Sequence, residues 1–252
     1  MPYLKKTIIA GRTIEIRKSY AARYGCRGGR REKNHRPTPE DQRRVNERKA
    51  IDTLTWRLNA NFGLGDVHLV LGYRRDENPT PEQARRHLED FLRRARKYCA
   101  AQGKPLRYVT VTEYKRTRLH HHLVLPELPA AVLYALWPHG RPHPTPLDGS
   151  GNYRRLAEYL VKETAAAFRE GDAPYKKRWN QSKNLKEPTI RVEVVNARTW
   201  SREPRPRKGY ALDKDSLRQG VHEITGYPYQ YYTLVRLRPE KERPEQERRG
   251  RL

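Results

Sequence analysis

Alternating apolar and polar positions give way to helical spacing, and back again, several times along this chain. Residues 7–10 (Thr-Ile-Ile-Ala) and 13–16 (Thr-Ile-Glu-Ile) flank Gly11-Arg12, the pattern of a short hairpin. Thr38-Pro39-Glu40 opens a helix with proline at its first position. Val45, Ile51, Leu54 and Leu58 give that helix an apolar side. Residues 61–66 (Asn-Phe-Gly-Leu-Gly-Asp) read as a turn and 67–73 as a strand. Thr80-Pro81-Glu82-Gln83 has capping-box spacing. Ala84, Leu88, Phe91, Leu92 and Ala95 then keep the helical period until Gly103-Lys104-Pro105 ends it. Residues 106–112 and 119–125 are strand-like. Residues 128–137 form a short apolar helix stopped by Pro138, and a loop rich in Pro, His and Gly runs to Gly151. A helix covers 152–170, with Leu156, Leu160 and Ala167 on its buried stripe. A basic aromatic stretch (175–179), a strand (189–195), a Pro/Arg-rich segment (201–208) and a last strand (229–237) follow. No internal repeat is visible.

This order predicts an α+β protein, an antiparallel sheet flanked by helices. It also suggests a division into an N-terminal hairpin and basic arm (1–37), a main domain (38–237) and a charged tail (238–252) expected to be disordered.

Charge adds a partner. The 252 residues carry 54 Lys plus Arg against 29 Asp plus Glu, a formal charge of +25. So large an excess points to a polyanion, of which nucleic acid is the commonest. A membrane is the weaker choice, because no apolar run approaches the roughly 20 residues that span a bilayer. The start of the chain has no signal-peptide core. Cys26 and Cys99 stand far apart, which argues against a disulfide scaffold or a Cys-rich zinc site and fits a reducing, cytoplasmic setting. Hydrophobic residues make up 35% of the chain, so a modest core with long basic surface segments is expected. Residues 18–37, rich in Arg, Lys and Gly, read either as an arm that orders on DNA or as a solvated linker.

The chemistry concentrates in Leu119-His120-His121-His122-Leu123. On a strand, His120 and His122 project from one face, placed to share a cation. His121 faces the other way, as a surface or supporting residue. Glu113, at the end of the preceding strand, offers a third donor. Two imidazoles and a carboxylate suit an open-coordinated divalent cation. A closed structural zinc site would want a fourth ligand. On the 152–170 helix, Tyr159 and Lys162 are three residues apart and share a face beside the core. A phenol becomes a good nucleophile when a cation stabilises its developing charge. Taken alone, Tyr159 is as readily a boundary tyrosine, one of 16 in the chain. His68, on the neighbouring strand, reads as a packed strand histidine, with lining the site as the alternative.

Taken in order, these residues resemble a known family, the HUH endonucleases, among them the rolling-circle replication initiators of phages and plasmids. The resemblance is closer to replication-associated proteins related to the filamentous-phage gene II endonucleases. It rests on Asn61-Phe62-Gly63 with Asp66 before residues 67–73, on residues 108–113 ending in Glu113, and on Leu119-His120-His121-His122. Trp137 with Gly140, then Tyr159-Leu160-Val161-Lys162, then residues 178–185 with Pro188 extend it over about residues 40–235. It implies an RRM/ferredoxin-like antiparallel sheet of about five strands and nicking and joining of single-stranded DNA. By the same resemblance, His120 and His122 are metal ligands with Glu113 completing the set, Tyr159 is the nucleophile that forms a 5′-phosphotyrosine bond, and Lys162 is its associated lysine. Mn²⁺ or Mg²⁺ is the expected cation. An origin hairpin is the expected substrate, with a host helicase as a further partner and a bacterial cytoplasm as the setting. Some initiators carry two tyrosines on this helix. Here Tyr153 lies on a different face, so a single-tyrosine mechanism is expected. Lys176, Lys177, Arg178 and Trp179 are candidates to hold single-stranded DNA, by charge and stacking. Two alternatives stay open: a non-catalytic nucleic-acid-binding module with an RRM-like sheet, and an HUH relaxase or transposase.

Overall fold

The structure, a computed structural model, describes residues 2–20, 38–114, 118–170, 177–222 and 225–237. Two compact units emerge, one from Pro37–Pro188 and one from Met1–Arg36 with Thr189–Leu252. This grouping follows strand pairing rather than chain order, so the hairpin joins strands from the far end of the sequence. The arm at 21–37, Cys26, Lys176 and the tail from 238 lie outside the described residues.

The 37–188 unit is built on a five-stranded antiparallel sheet. Its strands are β3 (Asp66–Gly72), β4 (Val109–Glu113), β5 (His120–Pro126), β6 (Pro142–Pro146) and the two-residue β7 (Asn180–Gln181), in the order β6-β3-β5-β4-β7. The hairpin at Tyr3–Ala10 (β1) and Thr13–Ser19 (β2) belongs to the other unit. Four helices complete the 37–188 unit: α1 (Pro39–Asn61), α2 (Pro81–Ala101), α3 (Ala130–Leu136) and α4 (Arg154–Glu170). Capping boxes start both long helices. Thr38 and Asp41 exchange hydrogen bonds at α1, and Thr80 and Gln83 do so at α2, satisfying amides that the first turn cannot pair.

Strand alternation divides the core between the two faces of the sheet. Val67, Leu69 and Leu71 of β3 and Leu123 and Leu125 of β5 pack against Leu88, Phe91, Leu92 and Ala95 of α2 and Leu133 and Leu136 of α3. On the opposite face, Val109 and Val111 of β4 and Val124 of β5 pack against Leu54 and Leu58 of α1 and Ala157, Leu160 and Val161 of α4. The α4 stripe therefore forms about Leu160 as expected, with Leu156 at its margin; the side chain of Ala167 lies outside the described residues. At the end of β3 the Trp137 indole donates to the Gly72 carbonyl at 2.8 Å. Gly140 comes so close to that carbonyl that a Cβ would stand 2.4 Å from its oxygen, so only glycine fits.

The other unit holds a second antiparallel sheet, β8-β1-β2-β10-β9, where β8 is Thr189–Val195, β9 Tyr210–Val221 and β10 Pro228–Arg236. Gly11 takes the left-handed turn between β1 and β2, at φ 54°. Ile14, Ile16, Tyr232 and Leu234 form its small core.

The α+β antiparallel class agrees with the expectation, and two elements correct it. Residues 142–146 form a strand rather than part of a loop. Prolines at every second position of β6 pair with Leu71, Leu69 and Val67 at the sheet edge. Period two turns each missing N–H away from the neighbour, which an edge strand tolerates. Strand β9 carries no clean alternation, because its register with β10 shifts between Tyr231 and Thr233. The Ser216 hydroxyl there accepts the Thr233 amide at 2.8 Å, as a bulge requires.

Candidate active site

Strand β5 sets the site by alternation. His120, His122 and Val124 face α1 and α4, while His121, Leu123 and Leu125 face α2 and α3. In the antiparallel registers Glu113 of β4 stands opposite His120, and Val70 of β3 opposite His122. The sheet thus gathers His68, Glu113, His120 and His122 on the face that α4 covers.

Helix α4 is fixed to that face by more than apolar packing. The Asn59 side chain of α1 accepts the Tyr153 amide at 2.8 Å, in the way a cap satisfies the start of a helix. Arg154 joins buried Asp52 of α1 at 3.0 Å and reaches Glu158 at 2.9 Å. Removing either partner of a buried pair leaves a charge uncompensated, so the axis and rotation of α4 are both held. That rotation places Tyr159 at the sheet's histidines. Its ring centroid lies 5.4 Å from that of His122 and 6.1 Å from that of His68, edge-on in both cases. Tyr159 remains 43% exposed, so a substrate can reach it. Lys162 is exposed one turn on. Tyr153 is buried, its hydroxyl donating to the Asp148 carbonyl at 2.8 Å; it takes no part in the exposed site.

The two histidines converge through their Nε2 atoms, 2.9 Å apart. Each Nδ1 is engaged elsewhere: that of His120 donates to the Arg118 carbonyl at 2.8 Å, and that of His122 lies 3.1 Å from His68 Nε2. For His120, whose Nδ1 faces a carbonyl, an Nδ1–H leaves Nε2 bare, the arrangement metal-bound histidines adopt; for His122 the partner is a second imidazole, and either ring nitrogen can carry the proton. Burial, with His120 and His68 beside it, pushes the His122 imidazole from 6.5 down to about 3, and burial lowers His68 as well. His122 is therefore neutral at physiological pH, as a ligand must be. Two bonds of about 2.1 Å at a right angle put their nitrogens about 3.0 Å apart, against about 3.4 Å at a tetrahedral angle. The observed spacing is compatible with two ligands on one cation. It is equally the span of one N–H···N hydrogen bond, which the pair can form by itself.

A carboxylate completes the group. Donor atoms of His120, His122 and Glu163 all lie within 4.8 Å of one another. Glu163 was not anticipated, although it stands four residues after Tyr159 on the same helical face; that spacing was the available signal. Glu113 shares the face and is buried, but this three-residue set is formed without it. His68, read as packed, does pack, and it also meets the His122 ring. Arg118 was not singled out either. Its guanidinium donates to the carbonyls of Arg74, Arg75 and Glu77 at 2.6–3.1 Å, anchoring the segment whose own carbonyl orients His120.

His121 corrects the expectation of a surface or supporting role beside the cation. It is fully buried on the other face, with Nδ1 2.9 Å from the Thr112 hydroxyl and Nε2 3.1 Å from the Tyr73 hydroxyl. Of the DNA-holding candidates, Lys177 is exposed and Arg178 half-buried. Trp179 rests against the α1/α4 core, which leaves part of its ring for stacking. Lys176 lies outside the described residues.

Among the described residues no helix is long and apolar enough to cross a membrane. No curated protein and no solved structure matches the chain. Residues 66–164 do match a family model, that of Replication-associated protein ORF2/G2P. The matched segment runs from β3 into α4 and contains His68, Glu113, His120, His122, Tyr159, Lys162 and Glu163. This similarity supports a rolling-circle replication initiator, and with it DNA binding, which the charge of +25 independently favours.

Proposed function

We propose that this protein nicks and rejoins single-stranded DNA at a replication origin, through a covalent phosphotyrosine formed on Tyr159. The observation that carries the proposal is the convergence of the His120 and His122 Nε2 atoms and the Glu163 carboxylate beside an exposed tyrosine. Within the HUH reading these residues would hold Mn²⁺ or Mg²⁺, with Glu113 as a further carboxylate on the same face. The donor set fits: two imidazoles and a carboxylate, with the imidazoles oriented from behind. A cation bound there supplies charge to polarise the scissile phosphate and offset the charge of the pentacoordinate transition state.

Tyr159 does the chemistry. Its phenolic oxygen attacks phosphorus in line, the bond from phosphorus to the 3′ oxygen breaks, and the phenolic proton is passed to that departing oxygen, which leaves as the 3′ hydroxyl. Lys162, an exposed cation on the same side of α4, stabilises the phenolate as it forms. The product is a 5′-phosphotyrosine ester. The ester retains the bond energy of the phosphodiester, so a 3′ hydroxyl attacking it reverses the step and joins strands. One exposed tyrosine on α4 favours a single-tyrosine cycle, with Lys176, Lys177, Arg178 and Trp179 as the surface that holds the strand. The family match favours an initiator over a relaxase or transposase, which would share this chemistry.

The test is incubation of the protein with Mn²⁺ and labelled single-stranded hairpins from its own replicon. A covalent adduct should appear on a denaturing gel, and EDTA should abolish it. Tyr159→Phe should remove the adduct while DNA binding persists. An adduct of normal yield from Tyr159→Phe refutes the nucleophile. Tight binding by wild-type protein with no adduct from any origin hairpin favours the non-catalytic module instead.

A further inference from the structure

A second histidine cluster lies on the α2/α3 side of the same sheet, built from three segments. Glu77 comes from the loop between β3 and α2, His87 from α2, and His139 from the loop between α3 and β6. Donor atoms of all three lie within 4.8 Å of one another. His139 Nδ1 stands 2.6 Å from one Glu77 oxygen, and the His87 and His139 rings stack with centroids 3.8 Å apart. The remaining Glu77 oxygen, Oε2, and His87 Nδ1 are both buried with no hydrogen-bond partner among the described residues. Buried polar atoms are normally paired, and each exception asks for an explanation. An ion pair between Glu77 and His139 accounts for one carboxylate oxygen and one ring, and leaves both idle atoms unexplained. A cation would engage them.

We propose that Glu77, His87 and His139 bind a second divalent cation, of the zinc class, separate from the Tyr159 site. Two imidazoles and one carboxylate are donors that zinc and its borderline neighbours accept, with water completing the coordination. Ligation draws the two rings out of their stack, which the broad torsion about the Cβ–Cγ bond allows. The surroundings are those of an ordered site. Tyr73 and Trp137 wall it, their rings 5.7 and 5.0 Å from that of His139, and the His139 carbonyl accepts the Arg74 amide at 2.8 Å. The cation would tie the β3–α2 loop to α2 and to the loop after α3. That first loop also supplies the carbonyls that hold Arg118, so the second site lies behind the support of His120.

The proposal does not depend on the nicking activity, and the experiment keeps the two apart. A full-length His120→Ala/His122→Ala variant lacks the first donor set. Stripped with EDTA and titrated with Co²⁺, it should develop visible ligand-field bands that saturate at one equivalent and are displaced by Zn²⁺. Adding His87→Ala and His139→Ala should abolish the bands. Glu77→Gln, nearly unchanged in size, should weaken binding about tenfold or more, since even residues behind metal ligands matter by about 10–100-fold. No cobalt binding by the His120→Ala/His122→Ala protein, with its circular dichroism intact, overturns the site. Equilibrium dialysis of the otherwise wild-type chain against Zn²⁺ is the companion measurement. His87→Ala/His139→Ala should lower bound zinc by one equivalent, and unchanged zinc content overturns the proposal.

Discussion

The two faces of the 37–188 sheet receive consecutive histidines of one strand and treat them differently. On the α4 face, His120 and His122 meet at their Nε2 atoms beside an exposed tyrosine. On the α2 face, His121 disappears into the core between Thr112 and Tyr73. The residue type is the same and the positions are adjacent, so composition cannot explain the difference. What differs is the neighbour each face supplies. On one face α4 brings Tyr159, Lys162 and Glu163; on the other α2 and α3 bring apolar side chains, while Thr112 of β4 and Tyr73 after β3 supply the hydroxyls that satisfy a single imidazole. A buried polar group is tolerable only when paired, and the two faces pair theirs by different means.

The comparison breaks most visibly at the donors. His120→Ala/His122→Ala should lower Mn²⁺-dependent adduct formation by about 10²–10³-fold or more, since charge stabilisation of that order is removed. Single-stranded DNA binding should stay within a few-fold of wild type in a filter or anisotropy assay. Normal adduct yield from this variant would end the assignment of the α4 face as the chemical one.

Core truncations on the two faces should separate stability from activity. Phe91→Ala on the α2 side should cost about 3–5 kcal/mol and Leu160→Ala on α4 about 2–5 kcal/mol, by loss of packing and the cavity left behind. Only Leu160→Ala should also depress adduct formation by protein that is still folded, because Leu160 neighbours Tyr159 on α4. Equilibrium denaturation paired with single-turnover nicking measures both. Equal losses of activity per folded molecule would dissolve the distinction between the faces.

A smaller effect is expected from His121→Ala. It deletes a buried ring and strips the Thr112 and Tyr73 hydroxyls of a partner, for a cost of about 1–3 kcal/mol. Affinity for Mn²⁺ should hardly change in calorimetry. A tenfold loss of metal affinity would place His121 with the ligands after all. Acid should find the same residue. Burial, with the neighbouring histidines, pushes the His121 imidazole from 6.5 down to about 3, so the folded chain refuses a proton that the unfolded chain accepts. Its contribution to stability is complete above about pH 6.5 and is lost progressively as pH falls from there toward 3. Melting temperature should drop across that window in wild type, and less steeply in His121→Ala. Parallel curves would assign the acid response elsewhere.

The smallest expected change concerns charge. Lys177→Ala and Arg178→Ala should each lower the slope of log affinity against log salt by about 0.7 if each neutralises one phosphate of a single strand. Wild-type binding should fall steeply as salt rises. Slopes unchanged in both variants would remove this stretch from the DNA surface.

Much of this was legible in the chain, for identifiable reasons. The Thr38-Pro39 helix start, the capping box at Thr80, the glycine turn at Gly11 and the helical apolar stripe around Leu160 are local devices, and local devices survive in sequence. Strand alternation alone separated His120 and His122 from His121. Strand β6 was hidden because proline usually forbids pairing, and only its place at the sheet edge lifts the prohibition. Strand β9 was hidden by its bulge. One carboxylate was not legible. Glu113 was read from the adjacent strand and the family order, and Glu163, from a helix some forty residues on, joins the compact donor set of the two histidines. His68 was read first as a packed histidine and second as a lining one, and the β3–β5 pairing decided for contact with His122.

By itself, then, the sequence determined the periodicities: which residues share a face of a strand or helix, where elements begin, and that the whole carries a charge suited to nucleic acid. Such properties depend on neighbours a few positions away. The tertiary structure decided which faces meet. It turned α4 so that Tyr159 and Glu163 cover one side of β5, sank His121 into the other, and brought Glu77, His87 and His139 together from three segments. Those outcomes depend on register and helix rotation, set by the packing of whole layers and by pairs such as Arg154 with Asp52, which no local pattern encodes.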